Sequence, residues 1–182
     1  MSSRPAFDPA RLDVAAFAAG RGAIGGSWPL RSLRRLAEST VPLADGGEEA
    51  VQWQAEGTLA PLLGAGLQPA LRIVAAAGVG LECQRCLQRM VVPLSLDQRL
   101  FFVPGEDAAA GLDAESDDDV LALEPALDLR SLIEDELLLA LPLVPRHELC
   151  PEPLPVEPEP EAPASEHPFA ALAALKRGPA SS

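Results

Sequence analysis

The chain has 182 residues and a mass of 19.1 kDa, enough for one domain with tails. Hydrophobic residues make up 48% but aromatics only 4%, with no Tyr, so a core must be built from Leu, Val and Ala. Three Cys, 19 Pro and a net charge of −13 exclude a disulfide scaffold, a collagen and a membrane protein, and argue against a polyanion ligand for the chain as a whole.

That charge is unevenly divided. Residues 1–105 hold nine acids and ten bases, whereas residues 106–182 hold eighteen acids and four bases. RNA contact would therefore be local to the first part, and the second suits basic proteins.

Residues 1–27 form an Ala/Gly-rich N-terminal segment anchored by Phe7, Leu12, Val14 and Phe17, with a short helix expected over 13–20. The segment lacks the basic start and apolar run of a secretory signal, and no stretch is apolar for long enough to span a bilayer. A cytoplasmic protein with reduced thiols and no membrane contact is expected.

Residues 28–150 read as an α+β domain, an antiparallel β-sheet with a packed helix. Over 28–38, Leu30, Leu33 and Leu36 alternate with Arg31, Arg34 and Arg35 at helical spacing, with Pro29 delaying the start. From Val51 the period becomes two, with Trp53 and Ala55 inward and Gln52, Gln54 and Glu56 outward. Residues 61–69 read as a turn, and strands follow over 71–81 and 90–103. Residues 105–124 carry eight acids and no base. They read as a solvated loop, because the spacing lacks the Gly and terminal Glu of a calcium loop. Asp128 can cap a helix over 129–141 whose apolar face is Leu129, Ile133, Leu137 and Leu141, leaving Glu134, Asp135 and Glu136 on the solvent side.

Residues 151–167 are rich in Pro and acid without one base, and read as a disordered linker. Residues 168–177 then form a docking helix, with Phe169, Leu172 and Leu175 on one side, for its own domain or a partner.

The chemically informative segment is Leu81-Glu82-Cys83-Gln84-Arg85-Cys86-Leu87. Two thiols at this spacing can share one tetrahedral metal or form a dithiol redox couple. Strand-like residues on both sides place the pair at a hairpin tip, as in a zinc knuckle. His147 and Cys150 supply two more ligands, and the four together would make a closed Cys₃His zinc site. Unligated reduced thiols and redox chemistry stand as alternatives. His167 lies in the linker and is given no role. There is no phosphate loop, no nucleophile elbow and no metalloprotease helix, so the sequence reads as a non-enzyme with no cofactor other than zinc.

Three motifs occur in order: Leu-Glu-Cys-Gln-Arg-Cys at 81–86, Ile-Glu-Asp-Glu-Leu-Leu-Leu-Ala-Leu-Pro at 133–142, and Pro-Phe-Ala-Ala-Leu-Ala-Ala-Leu-Lys at 168–176. Together they resemble the bacterial YceD family, the large ribosomal RNA subunit accumulation proteins. The resemblance covers roughly residues 25–150 and the last helix. It implies a non-catalytic role in the synthesis, processing or stability of 23S ribosomal RNA. The family's Cys-x-x-Cys falls on Cys83 and Cys86 and a later Cys on Cys150.

On that reading the partner is large-subunit ribosomal RNA or a pre-ribosomal particle, met directly or through a protein. Arg85 and Arg89 flank the hairpin and could meet phosphate, with Arg31, Arg34 and Arg35 as a second patch. The alternatives are an acidic adaptor for a basic ribosomal protein or RNA-processing enzyme, and a zinc-stabilised or redox Cys-x-x-Cys protein.

Overall fold

The structure is a computed structural model that describes residues 7–43 and 49–151. The expected docking helix with Phe169, Leu172 and Leu175, and the expected linker beyond Pro151, lie outside the described residues.

Alternation of burial builds the sheet. In β2 (Ala50–Leu62) Val51, Trp53 and Ala55 are buried between exposed Gln52, Gln54 and Glu56. β3 (Gly66–Glu82) turns Leu71, Ile73, Ala75, Ala77, Val79 and Leu81 the same way, and β4 (Arg89–Val103) adds Leu94, Leu100 and Phe102. β1 (Ala23–Pro29) pairs antiparallel with β2, and β5 (Asp119–Ala122) pairs parallel with β4. The fold is α+β with a five-stranded mixed sheet in the order β1-β2-β3-β4-β5.

Helices α1 (Val14–Ala19), α2 (Arg34–Glu38) and α4 (Leu129–Leu139) contribute Val14, Phe17, Leu36, Leu129, Ile133 and Leu137 to the core on one sheet face. Asp13 caps α1 by accepting from Ala16 N–H, and Asp128 caps α4 by accepting from Arg130 and Ser131 N–H. Close approach requires Gly57: a Cβ there would stand 2.5 Å from the Phe17 ring, so the missing side chain lets α1 lie against β2.

The sheet differs from expectation at three places. The expected turn over 61–69 shrinks to the connection between Leu62 and Gly66, because each proline falls where its strand has a free side. β1 stops opposite Glu56, short of Pro61, and β4 pairs with β3 only from Ala70, past Pro69. Residues 28–38 are not one helix: β1 runs through Pro29, followed by a single 3-10 turn (Leu30–Ser32) and then α2.

The expected acidic loop is instead α3 (Glu106–Glu115) followed by β5. Glu106 and Asp107 fall in the first turn, where the helix dipole favours acid. Ala109 packs with Leu62, Ala70, Phe101, Val103 and Val120 on the other side of the sheet. That helical crossover is what makes β5 parallel.

Candidate metal centre

The β3–β4 hairpin closes at the pair Glu82 and Arg89, leaving residues 83–88 as its tip. Cys83 N–H donates to the Gln88 carbonyl at 2.9 Å, and Leu87 N–H donates back to the Cys83 carbonyl at 2.8 Å. Leu87 takes φ +60, the left-handed conformation that reverses the chain. The turn aims backbone at sulfur: the N–H dipoles of Arg85 and Cys86 favour the ionised form of Cys83, and that of Gln88 favours the ionised form of Cys86.

The second half of the centre arrives from α4. The helix ends at its Ala140 cap, and the proline-punctuated chain beyond it returns to the hairpin, where Gln84 N–H donates to the Pro145 carbonyl at 2.9 Å. His147 N–H reaches Cys83 Sγ at 3.4 Å. Cys83, Cys86, His147 and Cys150 thereby converge, with all four ligand atoms within 4.8 Å of one another. Cys83 Sγ lies 3.9 Å from Cys150 Sγ, and Cys86 Sγ lies 3.4 Å from His147 Nδ1. A tetrahedral zinc ion separates two thiolates by about 3.8 Å and a thiolate from an imidazole nitrogen by about 3.5 Å. The donor set and two of its spacings therefore fit a metal ion. Both hairpin cysteines are buried, whereas His147 and Cys150 are half-buried.

Electrostatics favour a cation in this cluster. Burial raises the Cys83 thiol, but donation from the His147, Arg85 and Cys86 N–H groups and from the Cys86 thiol outweighs it and brings the group down to about 5. Cys86 moves the other way, raised by burial and by the neighbouring Cys150 and Cys83 sulfurs, despite the Gln88 N–H. Sulfurs this close cannot all ionise without a positive charge among them; a divalent ion removes that conflict and releases the remaining protons.

Arg85 stands within this cluster. Its Nε donates to Cys150 Sγ at 3.0 Å, and Nη2 donates to the carbonyls of His147 and Glu148 at 3.2 and 3.3 Å. The guanidinium so clasps the 147–150 segment onto the hairpin and sets a positive charge beside the Cys150 sulfur. Arg89, by contrast, makes a single long side-chain contact among the described residues, with the Pro42 carbonyl at 3.4 Å.

The second arginine patch lies against acid. Arg34 pairs with Glu38, and Arg35 pairs with Glu134 and Asp135. Glu134 itself is buried, contrary to the solvent-facing role its position in the sequence suggests. Its Oε1 accepts from the backbone N–H groups of Arg35 and Leu36 at 2.6 and 3.1 Å. Only the cysteine spacing signals the centre in sequence; nothing there marks the Arg85 clasp or the Glu134 contact.

Among the described residues no helix is long and apolar enough to cross a membrane. No curated protein and no solved structure matches the chain. The family model described as "Large ribosomal RNA subunit accumulation protein YceD" matches residues 71–176, a span that takes in most of β3, all of β4, β5 and α4, and all four ligand residues. With more than half of its length matched in this way, the chain belongs to the YceD family.

Proposed function

We propose that this protein is a non-catalytic, cytoplasmic ribosome-biogenesis factor that sustains the level of 23S ribosomal RNA, and that Cys83, Cys86, His147 and Cys150 hold a structural zinc ion in it. The convergence of four donors from two remote segments carries the structural half of this reading. Three thiolates and one imidazole leave no coordination position open for substrate or water, which suits a structural ion and not a catalytic one. The family description carries the ribosomal half.

In this account zinc fixes the hairpin tip and the 145–150 segment as one rigid surface for the RNA or pre-ribosomal particle. The test is genetic. Cells lacking the gene should show a lowered ratio of large- to small-subunit ribosomal RNA, restored by the wild-type chain but not by Cys83→Ser. An unchanged ratio in cells lacking the gene would refute the reading.

A further inference from the structure

A groove of about 580 Å³ runs beside the metal centre, between the start of β4 and the segment that carries two of the ligands. Its walls include Arg89 and Val91 on one side and Arg146, His147, Glu148 and Leu149 on the other. Two arginines therefore line one cavity, and neither forms an ion pair among the described residues. Arg89 has only its long contact with the Pro42 carbonyl, and Arg146 makes no hydrogen bond or ion pair among the described residues.

Four other arginines of the domain are already matched. Arg34 pairs with Glu38, Arg35 with Glu134 and Asp135, Arg72 with Asp97, and Arg99 with Asp118. The cavity lined by Arg72 and Arg99 also holds Asp97, Asp117, Asp118 and Asp119, so its cations are answered internally. Arg85, the nearest alternative in sequence, is committed to Cys150 and two carbonyls.

We propose that this groove binds the phosphodiester backbone of RNA, with Arg89 and Arg146 as the phosphate ligands. The inference rests on the ribosomal RNA reading above and gives it a place on the surface. Guanidinium forks match phosphate oxygens in pairs, which a lone carbonyl contact does not replace. His147 also lines the groove; with Nδ1 bound to the metal, its Nε2–H would be a third donor. Exposed Val91 and Leu149 offer apolar shoulders for sugar or base. No Phe, Trp or Tyr lines the groove for stacking, so the contact positions RNA and does not read its sequence. Glu148 is the one acid on the wall and limits the affinity.

The test uses the full-length protein as purified, with a fluorescein-labelled mixed-sequence RNA of about 20 nucleotides, followed by anisotropy over roughly 50–200 mM salt. The double variant Arg89→Ser/Arg146→Ser should weaken binding about tenfold and flatten the salt dependence by about 1.4 log units per log unit of salt, two phosphate contacts' worth for a single strand. Arg34→Ser, on a matched surface arginine, should change neither. Equal binding by the double variant and the wild type would overturn the groove, as would loss of binding in Arg34→Ser alone. If the wild type binds no RNA but an acidic peptide saturates it through the same two arginines, the occupant is a protein and the proposal fails. In each case the ribosomal RNA ratio in cells lacking the gene decides separately whether the broader reading survives.

Discussion

The sulfur cluster at the hairpin tip and the carboxylate beneath α2 both fasten the α4 region to distant chain, and they do so by opposite chemistry. At the tip, three sulfurs and an imidazole from residues 83–86 and 147–150 surround a point that suits a cation, and without one burial and the neighbouring sulfurs favour the protonated form of Cys86. Under α2, a single buried Glu134 accepts two backbone N–H groups and a guanidinium, and the lock is complete without any ion. On the zinc reading the first tether depends on an ion and the second does not. A metal can thus set the rigidity of the 145–150 surface without deciding whether α4 docks.

Metal removal should have the largest effect. A chelator acting on the wild-type protein should lower Tm by about 10 °C, the effect of losing a ligand present at about a thousand times its Kd. Cys86→Ser should reproduce that loss without chelator, and the chelator should then have no further effect. Calorimetry reads both. Next in size is Glu134→Ala, which leaves two N–H groups of α2 and one guanidinium without their acceptor and should cost about 2–3 kcal/mol in urea unfolding. Metal content should stay unchanged in that variant. A parallel loss of metal would mean that the two tethers act as one.

How much of this was legible in the sequence differs between the tethers for a physical reason. Cys-x-x-Cys at a hairpin tip suits a metal or a dithiol couple, and His147 with Cys150 supplies the two further ligands that a closed metal site needs. Glu134 sits one residue after Ile133 in an acidic run, and nothing local separates it from Asp135, which is half exposed. Its burial is decided by α2, almost a hundred residues away. The same holds for the sheet. β2, β3, β4 and α4 declare themselves by periodicity, whereas β1 reads Ala-Ile-Gly-Gly-Ser-Trp-Pro, without alternation, and is held by its pairing with β2 and by Trp28 stacked on Trp53 at 4.2 Å. α3 was hidden in acid because it buries only Ala109.

Smaller effects sharpen the account of the sulfur centre. Arg85→Ala should hasten zinc transfer to a competing chelator by about tenfold, as loss of an outer hydrogen bond to a metal ligand does, with Tm little changed. In metal-free protein, thiolate absorbance near about 240 nm should persist at neutral pH and vanish as the pH falls through about 5. The sign follows from Cys83 lying below its ordinary value. The folded state holds fewer protons than the unfolded one, so the group stabilises the fold most above the ordinary thiol range, and that stability is lost as pH drops through the folded value. Least of all should follow from Arg34→Ala, whose exposed pair with Glu38 is worth about 0.5 kcal/mol or less by urea unfolding.

The central claim is that the four donors hold one ion, and native mass spectrometry of the full-length protein purified without added chelator tests it directly. The account predicts one zinc per chain in the wild type and none in Cys83→Ser. A wild-type chain carrying no metal, with three thiols that titrate freely, would contradict it.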